Sequence, residues 1–277
     1  MNYTMVKHLT NNQYLGPFAI NVVRVAVSVA LFWVLFLAKP RKAGIEKQHI
    51  GRFLLCALTG VAINQMLFIK GLSMTYSIHA SLLILITPIL ITVFAVILLK
   101  ETITLAKVLG LLLGIAGAAV LILNRQNSGA GSNVLLGDIF IIINAISYTF
   151  YFILVKPLMA HYNTVHVIRW VFTLGLLMVL PFGWQEMSVV NWAAFTPLAA
   201  ICLLAVVVCG TFLAYLLNIY GIKVLGAATA GSYIYSQPLL AAAIAMIFLK
   251  EPLEAYKIWA AVLIFAGVYL ANKTVRK

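Results

Sequence analysis

Fourteen residues inside the long apolar runs of this sequence could bind a polar ligand or interrupt a helix. They are Asn64, Gln65, His79, Thr87, Pro88, Asn144, Tyr148, Tyr151, Tyr215, Asn218, Ser232, Tyr233, Gln237 and Pro238. Polar groups in a lipid environment are costly and usually face the interior of a helix bundle. Each polar side chain therefore either contacts a ligand there or forms a hydrogen bond between helices, which contributes about 0.6 kcal/mol in membranes.

Spacing along a helix brings several of these side chains together. Residues three or four positions apart share one face of a helix. Three candidate pairs have this spacing, namely Tyr148 with Tyr151, Tyr215 with Asn218, and Tyr233 with Gln237. Each pair can therefore act on the same ligand or the same neighbouring helix.

The elements that carry these residues are predicted to be membrane-spanning helices. Of 277 residues, 64% are hydrophobic and 9% charged, whereas soluble domains have about 45–50% apolar residues. No Asp, Glu, Lys or Arg occurs from Gly71 to Leu99, and a bilayer span needs roughly 20 apolar residues. The runs are continuous rather than alternating, which argues against strands. We predict an all-α polytopic membrane protein with spans at 17–38, 51–70, 76–99, 104–123, 137–157, 165–183, 196–220, 227–249 and 256–272.

The net charge of +13 is explained by membrane topology. Basic residues of membrane proteins gather in cytoplasmic loops, and no nucleic-acid-binding motif accompanies the charge, so no nucleic-acid partner is expected. With the C-terminus inside, twelve Lys and Arg residues fall on the cytoplasmic side and five on the other. The sequence thus predicts a multi-pass protein of the cytoplasmic membrane with a cytoplasmic C-terminus.

Few residues suggest a metal, a cofactor or catalysis. Cys56, Cys202 and Cys209 lie in apolar runs without a CxxC pair, so buried packing thiols are expected. There is no GxSxG or HExxH motif and no acidic pair. We therefore expect no metal, no cofactor and no enzymatic activity. Arg24 and Arg169 lack an intramembrane carboxylate partner in the predicted spans, and we expect both to have structural roles.

The sequence contains an internal repeat with an offset of 150 residues. At this offset the marked positions that coincide are Pro88 with Pro238, Lys100 with Lys250, Glu101 with Glu251, Lys107 with Lys257, and Gly117 with Gly267. The two prolines fall in the third and eighth predicted spans, five crossings apart, so the copies must be inverted relative to each other. Inverted repeats related by an axis in the membrane plane recur in transporters.

The two prolines also have a local effect. Each removes a backbone hydrogen-bond donor inside a span, and interrupted helices commonly build transporter sites near the bilayer midplane. The alternative is a static kink satisfied by a neighbouring Ser or Thr. Because proline recurs at the same repeat position, we favour the role in a binding site.

The repeat resembles the EamA family of the drug/metabolite transporter superfamily. The resemblance rests on the paired "P…LKE" blocks, on "GIAGAAV" and "FAGVYL" after them, and on an arginine in "GPFAINVVRVAVS". It implies two inverted five-helix repeats and a carrier that moves small metabolites across the cytoplasmic membrane, often outward. It also implies a substrate cavity among the spans that carry the fourteen candidates, with a polar or amphipathic metabolite and the lipid bilayer as partners.

The front of the chain departs from the ten-helix pattern. The first repeat, residues 1–123, has four visible spans, a linker follows at 124–136, and the second repeat, 137–277, has five. We expect residues 2–16 to be the tail of a first helix and its following loop, because Tyr3-Thr4 echoes Tyr148-Thr149.

The ionisable residues limit the mechanism. His79 could carry a proton, although a hydrogen-bonded buried histidine is the more common case. The six carboxylates are predicted at or near span ends, and Asp138 follows a glycine at a helix start, where the helix dipole suffices to explain it. Sodium and proton carriers usually keep an acid near the midplane. We therefore expect facilitated export, or proton coupling without a carboxylate.

The sequence favours a transporter that exports amino acids or related metabolites by alternating access at a midplane cavity between the repeats. A non-transporting membrane scaffold or sensor, and an intramembrane enzyme, are the alternatives. Whether the chain forms a homodimer is left open.

Overall fold

The computed structural model describes residues 2–38, 44–87, 105–123, 133–218 and 254–272, together with positions 90, 94, 244 and 246–248. All regular secondary structure among these residues is helical. The helices are α1 (Asn2–Asn11), α2 (Pro17–Ala38), α3 (Lys47–Met74), α4 (Ser77–Leu83), α5 (Leu105–Leu123), α6 (Val134–His161), α7 (Thr164–Ser188), α8 (Pro197–Asn218) and α9 (Ala255–Asn272). Short 3₁₀ turns cover Lys47–His49 and Trp192–Ala194.

Five of these helices are long and apolar enough to cross a membrane: α2, α3, α6, α7 and α8. They match the predicted spans at 17–38, 51–70, 137–157, 165–183 and 196–220, and they confirm an all-α polytopic membrane protein. α5 and α9 match the predicted spans at 104–123 and 256–272. The later part of the span at 76–99, most of the span at 227–249 and the linker residues 124–132 lie outside the described residues, so the division at 124–136 stays a prediction.

Side-chain caps fix where several helices begin. The first N–H groups of a helix lack partners within the helix, and Asn or Thr before the first turn can accept from them. Asn133 accepts from Leu136 before α6, and Thr196 accepts from Ala199 before α8. The start of α2 is capped from a distance, because the Glu186 carboxylate of α7 accepts from the N–H groups of Phe18 and Ala19 at 2.8 and 2.9 Å.

Two long helices contain a π-helical turn at the same repeat position. The turn spans Leu58–Ala62 in α3 and Val208–Leu213 in α8, and these starts are 150 residues apart. In α8 the hydroxyl of Thr211 donates to the carbonyl of Val206 at 3.0 Å. π-Turns occur frequently at functional sites. The recurrence supports the internal repeat independently of the residues that revealed it.

Equivalent helices of the two halves pack against each other in opposite directions. α2 and α7 are equivalent at an offset of 145. Phe18, at the start of α2, contacts Gly183 near the end of α7, whereas Phe32 contacts Phe172, much earlier in α7.

α5 and α9, which are equivalent at an offset of 150, show the same antiparallel order. Gly117 lies against Ile264, and the earlier Gly110 lies against the later Gly267. A helix and its copy run antiparallel when a two-fold axis in the membrane plane relates them. The predicted inversion of the repeats is therefore confirmed.

The first helix occupies the place that the repeat predicts for it. α1 packs on the π-turn of α8, where Asn2 lies against Gly210. In the other half, Ser147 of α6 donates to the carbonyl of Thr59 in the π-turn of α3 at 2.7 Å. Asn2 and Ser147 are 145 residues apart, so α1 is the counterpart of part of α6. Residues 2–11 are helical, as predicted.

Candidate functional site

A buried arginine marks the first polar group inside the bundle. Asn21, Arg24 and Ser28 share one face of α2, and all three are buried. The Nε of Arg24 donates to the hydroxyl of Thr211 in the π-turn of α8 at 2.8 Å. Its Nη1 has no hydrogen-bond partner among the described residues. The structure thus places a cation inside the bundle whose Nη1 can still donate a hydrogen bond to a ligand.

Gln65 and Tyr215 lie on the axis that relates the two halves. They are equivalent positions, 150 residues apart, and the Nε2 of Gln65 donates to the hydroxyl of Tyr215 at 3.3 Å. A residue can contact its own counterpart only close to the two-fold axis. Within the described part of the chain, the Oε1 of Gln65 has no partner, so this axis presents an acceptor as well as the cation of Arg24.

Two further predicted residues adjoin this axis. The rings of Tyr148 and Tyr151 lie with their centroids 6.0 Å apart on α6. Both pack in the same buried cluster as Tyr215, which follows Thr211, the partner of Arg24, by four residues on α8. We call this set the central polar cluster, and its members are Arg24, Gln65, Tyr148, Tyr151, Thr211 and Tyr215. It joins α2, α3, α6 and α8, and so combines both halves of the molecule.

The two halves contribute differently to the central polar cluster. Arg169, the counterpart of Arg24, is fully buried against aromatic rings of α2, with its guanidinium carbon 3.6 Å from the ring centre of Phe36 and 4.4 Å from that of Trp33. It also donates to His166 at 3.2 Å. Stacking on aromatic faces stabilises a guanidinium. The structural role expected for Arg169 is therefore seen, whereas Arg24 points to a polar neighbour.

Asn64 and Asn144, both predicted binding residues, hold α3 and α6 together. The side chain of Asn144 donates to the backbone carbonyl of Asn64 at 2.6 Å, and the side chain of Asn64 donates to the carbonyl of Asn144 at 3.3 Å. Both residues are buried. These reciprocal bonds are the interhelical alternative that the sequence left open.

Replacing either Asn64 or Asn144 with alanine is expected to lower the free energy of unfolding by about 0.6 kcal/mol, because each change removes one interhelical bond. The double variant is expected to cost about twice as much. Unfolding in mixed micelles of increasing denaturing detergent measures both. Asn218→Ala, at an exposed position of α8, is the control, and an equal loss in that variant would contradict the assignment.

His79 lies in a second buried polar group, at the end of the bundle where α6 begins. Its Nδ1 is 3.1 Å from the Oδ2 of Asp138 and its Nε2 is 3.3 Å from the hydroxyl of Tyr256. The hydroxyl of Thr75 donates to the other oxygen of Asp138. His79 and Asp138 are both fully buried. Sequence reasoning read Asp138 only as a helix-start residue and did not pair it with His79.

The remaining candidates stand apart from both groups. Thr87 is buried, and its backbone N–H donates to Ile84. Asn218 is exposed at the end of α8 and does not share an environment with Tyr215, despite their spacing. Five candidates lie outside the described residues, namely Pro88, Ser232, Tyr233, Gln237 and Pro238. In the described ranges, no three His, Cys, Asp or Glu side chains group closely enough to hold a metal ion.

Comparison with known proteins agrees with this architecture. The EamA-like transporter family model matches residues 1–123 and again 135–273. One solved crystal structure matches with a TM-score of 0.61, covering 98% of this chain and 94% of its own, at 17% identity. That likeness concerns the fold alone.

Several proteins with similar sequences are named as transporters. An uncharacterized transporter of Bacillus subtilis, YetK, is 25% identical over 88% of this chain and 74% of its own length. An uncharacterized transporter of Archaeoglobus fulgidus is 24% identical over 87% of this chain and 81% of its own. A protein of Streptantibioticus cattleyicolor named a probable terminal-alkyne amino-acid exporter is 28% identical over 79% of this chain and 72% of its own. The family model covers both halves of the inverted fold, and the chain belongs to the EamA-like transporter family.

Proposed function

We propose that this protein exports amino acids or closely related small metabolites across the cytoplasmic membrane by alternating access, with its C-terminus in the cytoplasm. Membership of a transporter family supports the activity, and the exporter of S. cattleyicolor supports the substrate class and the direction. The excess of basic residues in the loops assigned to the inside supports the orientation. Amino acids also carry a carboxylate, which is not found beside Arg24 among the described residues.

The observation that carries the proposal is the buried guanidinium of Arg24. A buried charge is costly unless an opposite charge and hydrogen bonds compensate it. Among the described residues, Arg24 has a hydroxyl partner and an open Nη1 but no carboxylate partner. The carboxylate of a bound amino acid would supply that missing partner. Arg24 thus favours an anionic or zwitterionic substrate over a purely cationic one.

The other residues of the central polar cluster suit the ammonium group of an amino acid. The Oε1 of Gln65 is a buried acceptor without a partner in the described ranges, and an ammonium group can donate to it. The faces of Tyr148 and Tyr151 attract a cation as well. A zwitterion lying between Arg24 and Gln65 would therefore satisfy both open groups of the cluster at once.

The inverted packing supports alternating access. Each half can adopt one of two arrangements, and exchange of the arrangements between the halves opens the shared site to the opposite side. The contact between Gln65 and Tyr215 lies on the axis of that exchange. A substrate bound beside the axis would keep its contacts while the surrounding helices change their tilt.

Counterflow in proteoliposomes tests this function. Vesicles are loaded with one unlabelled amino acid at a time, and uptake of the same labelled amino acid is followed. We expect saturable uptake of at least one amino acid, and a raised unfolding temperature in its presence, because a ligand that binds only the folded state stabilises it. If none of the standard amino acids exchanges or stabilises the protein, the proposed substrate class is wrong.

Replacing Gln65 with leucine is expected to raise the KM for that amino acid about 10-fold or more, since a hydrogen bond to a charged group contributes about 1.5–3 kcal/mol. Tyr215→Phe, which removes the partner hydroxyl, is expected to have a smaller effect. Gln48→Leu, at an exposed position near the start of the same helix, is the matched control. An unchanged KM in Gln65→Leu would remove this residue from the binding site.

A further inference from the structure

We propose that His79 and Asp138 form a proton-binding site that drives export, so that the carrier exchanges a proton for its substrate. This inference rests on the proposed transport function and deepens it by naming the coupling ion. It concerns a buried group that is separate from the central polar cluster.

The first argument is the burial of two ionisable partners in direct contact. His79 and Asp138 are both fully buried, with the Nδ1 of His79 3.1 Å from the Oδ2 of Asp138. Ionisable groups inside a membrane protein are expensive, and they commonly mark ion pathways and proton relays. Asn64 and Asn144 join α6 to α3, the helix that directly precedes the α4 of His79, with neutral groups. A structural link to this part of α6 therefore did not require a carboxylate and an imidazole.

The hydrogen bonds around the histidine fit two protonation states. Asp138 accepts from the hydroxyl of Thr75, and the two ring nitrogens of His79 lie within hydrogen-bond distance of Asp138 and of the hydroxyl of Tyr256. In the first state the Nδ1–H of His79 donates to Asp138 and the hydroxyl of Tyr256 donates to Nε2, so that His79 is neutral and Asp138 ionised. One further proton can bind at Nε2 if the hydroxyl of Tyr256 rotates to accept. The uptake needs no other rearrangement and forms an imidazolium paired with the carboxylate.

Two polar side chains connect the end of the bundle to the Nε2 of His79. Glu254 stands directly before α9, is partly exposed and interacts with Tyr256, and its Oε2 has no partner in the described part of the chain. Tyr256 in turn contacts the Nε2 of His79. The hydroxyl of Tyr256 therefore lies between a proton bound at Glu254 and the Nε2 of His79.

Within the described ranges, two further charged side chains near the pair come from α1 and α9. The ammonium groups of Lys7 and Lys257 lie 5.6 and 5.0 Å from the ring centre of Tyr76, and the ring of Tyr76 lies 5.3 Å from that of His79. Both lysines are buried.

The location of the pair allows it to sense the state of the carrier. His79 belongs to the first half, whereas Asp138 and Tyr256 belong to the second, so movement of one half against the other changes the contact. Asp138 is ten residues before Tyr148 on α6, which is about 15 Å along a helix. The equivalent of His79 at the offset of 150 is Thr229, so the histidine is not repeated. The asymmetry fits a proton that is exchanged at one end of the bundle only.

Transport driven by a pH gradient is the first test. Proteoliposomes with the membrane potential clamped by potassium and valinomycin receive a gradient of about two pH units, which can sustain up to about 100-fold accumulation when one proton exchanges for one substrate. The probe is the labelled amino acid that shows counterflow. We expect the wild type to accumulate it towards that limit, and Asp138→Asn and His79→Gln only to equilibrate it while keeping counterflow. Glu186→Gln, which alters a carboxylate that caps α2, is the control and should accumulate normally.

Nitrogen NMR of histidine-labelled wild-type protein is the second test and needs no substrate. The His79 signals are identified by their absence in His79→Gln. We expect the Nδ1–H tautomer at high pH and protonation of both ring nitrogens at lower pH, with the midpoint shifted by Asp138→Asn. A ring that stays in one state over the pH range in which the protein is folded would overturn the proposal, whether or not the variants fold.

The outcomes separate this inference from the proposed function. Counterflow of an amino acid that ignores the pH gradient in the wild type would overturn proton coupling and leave export intact. A His79 that titrates together with Asp138, in a protein that moves none of the amino acids, would support the proton site and reject the substrate class. Accumulation that survives in Asp138→Asn and in His79→Gln would assign the coupling to other groups.

Discussion

Replacing Arg24 with glutamine is expected to reduce amino-acid transport at least about 30-fold, because truncating one partner of a buried, hydrogen-bonded charge pair costs about 2–5 kcal/mol. Glutamine retains an amide that can still donate to Thr211, so the change removes the charge and the open Nη1 more than it disturbs packing. The loss should appear in both counterflow and binding, because the substrate carboxylate already lacks its cationic partner when the substrate binds.

The behaviour of the unliganded protein distinguishes this role from a structural one. If Arg24 serves the substrate, the empty site carries an uncompensated charge, and Arg24→Gln should unfold at the same or a higher temperature than the wild type. Arg169→Gln is the matched control, because Arg169 occupies the equivalent position but stacks on Trp33 and Phe36. That variant should lose stability. A destabilised Arg24→Gln with normal transport kinetics would return Arg24 to the structural role expected from the sequence.

Hydropathy located the membrane helices because it is a local property of the chain. The predicted spans at 17–38 and 165–183 correspond to α2 and α7, although α7 continues to Ser188. The extra turn carries Glu186, whose carboxylate caps the start of α2. That contact joins residues 168 positions apart, and no local pattern reveals it.

The inversion of the halves could be predicted by counting crossings, whereas the register of their contact could not. The offset of 150 identifies Gln65 and Tyr215 as equivalent positions, but only the packed structure brings them into contact on the axis. The π-turns illustrate the same limit. Gly60 and Gly210 coincide in the repeat, yet a pair of glycines does not indicate whether a helix widens there.

The polar candidates were identified by type, but their partners decide their roles. Asn64 and Gln65 are neighbours in the sequence, and the structure directs one to a neighbouring helix and the other to the axis. Asp138 was assigned to a helix end because it lies near the start of a span. Its burial depends on Thr75 and His79, which approach from a different segment. Distance from the end of a span is therefore a poor guide to burial in this bundle.

Replacing Gly71 with leucine is expected to prevent correct assembly of α3 and α6. Among the substitutions proposed, it should lower the free energy of unfolding the most. A Cβ atom at Gly71 would lie 2.8 Å from the carbonyl oxygen of Gly137 on α6, and backbone atoms cannot move aside as a flexible side chain can. Small residues let membrane helices approach this closely. The bond between Asn64 and Asn144, and the bond from Thr75, directly after α3, to Asp138 cross the same interface, so separating α3 from α6 disturbs all of it.

Alanine at position 71 gives the sharper test, because packing and helix propensity then have opposite signs. In an exposed helix, Gly→Ala stabilises by about 1 kcal/mol, whereas overpacking typically costs about 1–3 kcal/mol. Gly71→Ala should therefore lower the detergent concentration at which the protein unfolds. Gly51→Ala, also on α3 but with no atom within 4 Å of the new Cβ, should leave it unchanged or raise it. If both variants gained stability, α3 and α6 could not be in backbone contact at Gly71, and the buried pair of His79 and Asp138 beside that contact would lose its support.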